Sequence, residues 1–244
     1  MKFPSIYGFN KCSEMGEDVF AFSVFLAGCN LRCPYCMNSK LVCNNVESTV
    51  ATVAIEEIKE QVKKHDGKWM VISGGEPTCT DIPQLMNLIM EFQSWGCKVA
   101  LSTNGTNPED LRPILLLLNY VALDFKTDRF DIWKKCQRNS KANLPLLVNV
   151  LHTQCILASE KMSRDDFDYE LRTTLYPPFV NKKSLREIGK IIRKRDKWVL
   201  QQFRVADNMF SPKAYDVEPY DEDTVQEMLK IAQQFTSKAE LRYV

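Results

Sequence analysis

Residues 19–36 read VFAFSVFLAGCNLRCPYC: a β-branched and aromatic run passes straight into a loop carrying Cys29, Cys33 and Cys36. The run predicts a buried strand over Val19–Leu26. The loop spaces its thiols as Cys-x3-Cys-x2-Cys. Three thiolates on one short loop suit three corners of an iron–sulfur cubane and leave the fourth iron open to a further ligand. Soft sulfur donors favour iron–sulfur or zinc over hard cations. Zinc stays open as an alternative, and it would need a fourth ligand from Cys43 or a histidine. Both histidines, His65 and His152, fall in helical patterns.

Outward from this loop, helix-like and strand-like segments alternate. Ala54, Ile58 and Val62 share a helical face; Lys68–Ser73 is a short apolar run ending in Gly-Gly; Ile82, Leu85, Met86 and Ile89 form the next helical stripe. Lys98–Ser102 predicts a strand, and Asn107-Pro108-Glu109-Asp110 predicts a helix start with Asn107 as its cap. Tyr120–Lys126, Tyr169–Thr174 and Trp198–Phe203 complete a set of six strands. Helical segments interrupted near Pro145 fill the gap between 128 and 160, and Ser184-x-x-Glu187 predicts a capping box. Val225, Met228, Leu229, Ala232 and Phe235 make a last amphipathic helix before an additional strand-like tail at Glu240–Val244. Such alternation predicts an α/β fold of parallel βα units, a partial (β/α)6 barrel open on one side, with functional groups at the carboxyl ends of its strands. No linker or repeat divides residues 1–244, so a single domain is expected.

Composition narrows the function classes. The 244 residues carry a net charge of +1, which gives no electrostatic footprint for nucleic acid or membrane. No apolar run approaches a membrane span, and the first residues lack a signal-peptide pattern, so a cytoplasmic protein is expected. Nine cysteines in a chain of this length fit a reducing compartment with one metal cluster better than a disulfide framework. Cys12, Cys97, Cys136 and Cys155 are read as ordinary buried thiols. Cys43 and Cys79 fall nearer the chemistry.

Gly28-Cys29-Asn30-Leu31-Arg32-Cys33-Pro34-Tyr35-Cys36 resembles the signature of the radical S-adenosylmethionine (SAM) superfamily, including the aromatic Tyr35 before the last cysteine. The resemblance implies a [4Fe–4S] cluster on Cys29, Cys33 and Cys36, with the amino and carboxylate groups of SAM on the open iron. It also implies reductive cleavage of SAM to methionine and a 5′-deoxyadenosyl radical. Ser73-Gly74-Gly75-Glu76-Pro77 resembles the family's glycine-rich motif. Gly74 and Gly75 would let backbone approach the amino acid end of SAM, while Glu76 would accept from its ammonium or orient the loop; without the cysteine loop upstream, the same stretch would read as a plain turn.

Further candidates end later strands. Asp124 and Lys126 alternate onto the face of Ala122. They either pair for structure or, as the resemblance to glycyl-radical-enzyme activases implies, lie near SAM. Ser102 and Asn104 share a face likewise, with Ser102 standing where activases often have Asp. Arg172 would neutralise the SAM carboxylate or else be a surface arginine. Gln201 and Gln202 end the next strand, and Gln202 is a candidate for adenine or ribose.

Thr103–Pro108, Arg172–Thr174, Leu200–Arg204, Glu218–Tyr220 and Glu240–Arg242 together resemble the activases of anaerobic ribonucleoside-triphosphate reductase, close to pyruvate formate-lyase activating enzymes. Residue 37 is Met where these often have His, and the stretch 127–165 matches poorly. The resemblance implies hydrogen abstraction from a glycine Cα of a partner glycyl radical enzyme, with a flavodoxin-like electron donor. The chain lacks a second cysteine-rich insert, as in the minimal activases. Two other readings stand beside it: a radical SAM enzyme acting on a small molecule, as 7-carboxy-7-deazaguanine synthases do, and a non-catalytic metal-binding module.

Overall fold

The computed structural model describes residues 2–12, 20–42, 51–138 and 146–243. Eight strands among them form one sheet in chain order: β1 (Ile6–Cys12), β2 (Ala21–Leu26), β3 (Trp69–Gly74), β4 (Lys98–Thr103), β5 (Tyr120–Asp124), β6 (Asp168–Thr174), β7 (Lys197–Gln201) and β8 (Ala239–Arg242). β1 is antiparallel to β2, and every later pair is parallel. Each parallel crossover contains helix: α1 (Ile55–Lys64), α2 (Ile82–Ser94), α3 (Pro108–Leu115), α4 (Phe130–Cys136) with α5 (Leu146–Ser163), α6 (Lys182–Ile191) and α7 (Glu222–Gln233). Among the described residues β1 and β8 do not pair, so the sheet is open. The expected α/β half-barrel is there, with one antiparallel strand added at the front edge and the tail strand β8 at the other.

Strand alternation splits the interior in two. Phe22, Val24, Met70, Ile72, Leu101, Leu123, Leu171 and Leu200 pack with Ile58, Leu88, Leu111, Ile188 and Met228 of the helices in one core. Each such burial contributes about 1.5–3 kcal/mol. The opposite face has only a small apolar cluster of Ala21, Val71 and Ala100, against which Trp69 and Tyr120 pack. Farther along that face it turns polar, at Ser102, Asp124, Glu170 and Arg172.

Glu170 is fully buried there and gathers cations from three strands. It pairs with Arg172, accepts from Arg242 Nη1 and Nη2 at 2.8 and 3.0 Å, accepts from Tyr120 Oη at 2.8 Å, and lies 3.4 Å from Lys197 Nζ. Burial alone pushes its carboxyl pKa up, but the two guanidiniums overcome this and hold it at about 2. A carboxyl depressed in the folded state contributes stability above its unfolded pKa, and that stability is lost as pH falls through the folded one. Acid unfolding between about pH 4.5 and 2 should therefore be steep. Glu170→Gln should flatten that acid limb and cost about 3 kcal/mol at neutral pH, since it leaves buried guanidiniums short of a charge. Urea titrations at several pH values would show both; an unchanged acid limb would remove Glu170 from its cause.

One helix start matches expectation without its capping bond, and another begins earlier than expected. Asn107 occupies the cap position of α3 as expected, but its Oδ1 accepts from Asn30 Nδ2 at 3.4 Å instead of from the first turn, while its Nδ2 donates to Thr78 Oγ1 at 3.1 Å and Cys79 Sγ at 3.6 Å. Ser184 lies buried inside α6, which begins earlier, at the Asn181 cap that accepts from the Lys183 and Ser184 amides. The scattered cysteines divide as well. Cys97 and Cys136 are buried, Cys12 is half-buried, and Cys155 is exposed on α5 with its sulfur 3.2 Å from Arg193 Nη2. Cys43 and Pro145 lie outside the described residues. No helix among those described is long and apolar enough to cross a membrane.

Candidate active site

The cysteine loop after β2, the Gly-Gly loop after β3, and the ends of β4, β5, β6 and β7 converge on one cavity of about 220 Å³. It is lined by Cys29, Cys33, Tyr35, Cys36, Gly74, Gly75, Glu76, Ser102, Asn104, Asp124, Lys126 and Gln202, together with Thr174 and Gln201. Twelve of the thirteen site residues expected from sequence thus share one space. Arg172 is the exception: it sits behind the lining, paired to Glu170, with its Nη1 3.5 Å from Ser102 Oγ. Cys79 is exposed in the 3₁₀ turn Pro77–Cys79 and is not part of the lining.

The two loops are bolted together through backbone. Gly75 N donates to Leu26 O at 2.8 Å and Glu76 N to Gly28 O at 2.7 Å. Asn38 adds a side-chain tie, its amide donating to Gly74 O at 2.9 Å. Glu76 is 1% exposed, and its carboxylate is already committed. Oε1 accepts from Thr78 N, Thr78 Oγ1 and Thr103 Oγ1, and Oε2 accepts from Asn104 N at 2.6 Å. These bonds tie the Gly-Gly loop to the end of β4 and the residue after it. Lys126 donates to Asp124 Oδ2 at 2.8 Å. Burial opposes the charge on Lys126, yet Asp124, Tyr35 and Cys33 together raise its pKa, so it remains an ammonium.

The thiols need a cation between them. Burial pushes the Cys29 thiol up, and the Glu76 carboxylate adds to the effect. Burial likewise takes Cys36 to about 11, with Cys33 as a repelling neighbour. Cys33 alone is drawn down, by a hydrogen bond from the Cys136 thiol. Three crowded, desolvated thiolates are costly unless metal supplies positive charge. Among the described residues, no three His, Cys, Asp or Glu side chains gather as they would around a single ion. Three sulfur donors on one loop beside an open cavity fit a cluster bound at three corners, with a fourth corner left to another ligand. The cavity also fits a polar co-ligand: Gln202 Oε1 is buried with no hydrogen-bond partner among the described residues, while its Nε2 is fixed on Tyr220 O at 2.8 Å. Tyr35 Oη is orphaned in the same way, its ring packed 4.8 Å from Tyr176 and 5.5 Å from Phe179.

Several contributors had no local sequence signal. Cys136, at the end of α4, reaches Cys33, and the following residues brace the cysteine loop: Arg32 N donates to Cys136 O at 2.6 Å and Arg138 N to Asn30 O at 2.9 Å. On the other side, Phe210 N and Ser211 N donate to Cys36 O and Pro34 O, both at 3.0 Å. Met37, Phe203 and Arg204 complete the rim.

The sequence matches the radical SAM superfamily over residues 23–144, half of the chain, and the chain belongs to that superfamily. It is a radical SAM enzyme, of a family that works with a [4Fe–4S] cluster and SAM. Over 231 residues it is 28% identical to a protein of Methanocaldococcus jannaschii that carries the provisional name glycyl-radical enzyme activating enzyme, covering 91% of this chain and 88% of the relative. It is 38% identical to the 7-carboxy-7-deazaguanine synthase of Hyperthermus butylicus over 104 residues, 41% of this chain and 43% of that one. A solved domain of a pyruvate-formate lyase-activating enzyme from Bacteroides vulgatus shares the fold, with a TM-score of 0.55 at 14% identity over 72% of this chain and 99% of the domain.

Proposed function

We propose that this chain is an activase that generates a glycyl radical on a partner enzyme, anaerobic (class III) ribonucleotide reductase, using an electron from a flavodoxin-like donor. The observation that carries this reading is the extent of the likeness. Similarity to the activating-enzyme relative runs through nearly the whole of both chains, whereas similarity to the synthase stops at about two-fifths of each. In this reading the chain acts as one cytoplasmic domain, and Cys29, Cys33 and Cys36 hold the cluster. Gly74 and Gly75 present backbone to SAM, Glu76 orients their loop, and Tyr35, Ser102, Asp124, Lys126 and Gln202 surround the cofactor. Arg172 acts from behind Ser102. Bound there, cluster and SAM supply hydrogen-abstracting radical chemistry. The chain's own side chains position the cofactor: Asp124 holds Lys126 in place, and Gln202 Oε1 offers an acceptor to an N–H or O–H of the ligand.

A small-molecule reading keeps the cofactors and changes the substrate, and it is favoured by the higher local identity to the synthase. Anaerobic incubation of the reconstituted protein with SAM, a reductant and a class III reductase should produce a glycyl doublet in the electron paramagnetic resonance spectrum. Absence of that doublet, with conversion of a small substrate by the chain alone, would replace the activase reading with the rival.

A further inference from the structure

Asn104 follows the last residue of β4 at the cavity and is 5% exposed, yet its amide is already spoken for at both ends. Oδ1 accepts from Thr106 N at 3.0 Å and from Thr106 Oγ1 at 2.6 Å. Nδ2 points the other way, to Asn30 Oδ1 at 2.9 Å and Cys29 Sγ at 3.9 Å. A flipped amide would face oxygen toward Asn30 Oδ1 and the sulfur, and NH₂ toward the Thr106 amide, so the orientation is locked. The nitrogen is thereby committed to the sulfur side.

The other two thiols have donors as well. Cys36 receives a backbone N–H from Asn38, and Cys33 receives the thiol of Cys136 from behind the cavity lining. Cys29 takes the Leu31 amide at 3.3 Å in addition to Asn104. Of these donors, Asn104 is a side chain from the turn after β4, so it can be changed without rebuilding the cysteine loop. Hydrogen bonds to ligand sulfurs stabilise the more negative, reduced cluster and raise its reduction potential.

We infer that Asn104 is a positioning residue that sets the reduction potential of the cluster through Cys29 Sγ, rather than a contact to SAM. The inference rests on the assignment of Cys29, Cys33 and Cys36 as cluster ligands. It leaves the partner enzyme open.

The test uses anaerobically reconstituted full-length wild type, Asn104→Ala and Asn104→Asp. Iron and sulfide are counted, and the reduced cluster is followed by paramagnetic resonance during a redox titration without SAM. Both variants keep the iron, but at the wild-type midpoint their reduced-to-oxidised ratio falls about tenfold, equivalent to about 59 mV for a one-electron couple. Asn30→Ala, which removes the other Nδ2 partner and leaves the sulfur contact, keeps the wild-type ratio. Unshifted Asn104 variants, or an Asn30→Ala protein shifted as far as they are, would make Asn104 a loop brace and overturn the inference. Loss of iron from both Asn104 variants would overturn it too, because a tuning residue leaves the cluster assembled. Iron-free wild type would instead overturn the ligand assignment itself.

Discussion

Cys33→Ala, reconstituted anaerobically with iron and sulfide, should retain background metal only, at least about tenfold below the wild-type content of about four irons per chain. Its SAM cleavage should vanish. Cys33 is the central thiol of the loop, 7% exposed and facing the cavity. Removing it leaves Cys29 and Cys36 with two corners of a cubane that requires three protein ligands when the fourth iron is kept open. Cys136 touches Cys33 but is not part of the cavity lining, so it cannot take over the vacated corner without moving the end of α4. The small change in volume keeps the fold intact, so circular dichroism should match wild type. Cys155→Ala is the control: its sulfur sits on the outer surface of α5 beside Arg193, and iron content should not change. Full iron in Cys33→Ala would mean that another set of ligands holds the metal.

Much of this arrangement was legible because parallel strands are buried on both faces and read as apolar runs. Ala21–Leu26, Trp69–Gly74 and Lys98–Thr103 each end in residues that break the run: cysteines, glycines, an asparagine. Those breaks mark the cavity. β1 escaped notice because IYGFNKC is polar in part, and its pairing register shifts between Ile6 and Phe9, which disrupts the period-2 pattern. The α3 start falls at Asn107 as expected, but its capping bond and the Ser184 box do not form, for a different reason. Local rules see only local partners, and Asn107 spends its amide on Thr78 and Cys79, 29 and 28 residues away in sequence. Long-range pairing also hid the place of Arg172. Its partner Glu170 stands two residues earlier on the same face, but the cations that keep Glu170 buried come from β7 and β8. Cys136 is the extreme case: it reaches the cysteine loop from about a hundred residues downstream, inside the stretch that matches known activases least.

Gly75→Ala should disable the protein as completely as loss of a cysteine, and by backbone contact alone. A Cβ on Gly75 would lie 2.0 Å from Gly28 O and 2.8 Å from Gly28 C. Neither is the end of a flexible side chain, so one loop must move. Gly28 immediately precedes Cys29, and its carbonyl accepts the Glu76 amide at 2.7 Å. Displacing it breaks that bond, tilts the first thiol out of the cavity, and pulls Glu76 from the four hydrogen bonds that tie it to Thr78, Thr103 and Asn104. Overpacking typically costs about 1–3 kcal/mol. With a broken buried hydrogen bond added, about 4 kcal/mol is expected, a fall in Tm of roughly 8–16 °C for a chain of this size. Iron uptake should fail with it. Gly96→Ala is the informative comparison: its φ of +82° imposes a left-handed backbone penalty that Gly75 does not carry, but an added Cβ there meets nothing within 4 Å. Its cost should stay near 1 kcal/mol with iron uptake unchanged. If calorimetry and iron analysis place the two variants side by side, the contact between the loops is not what holds Cys29 in position.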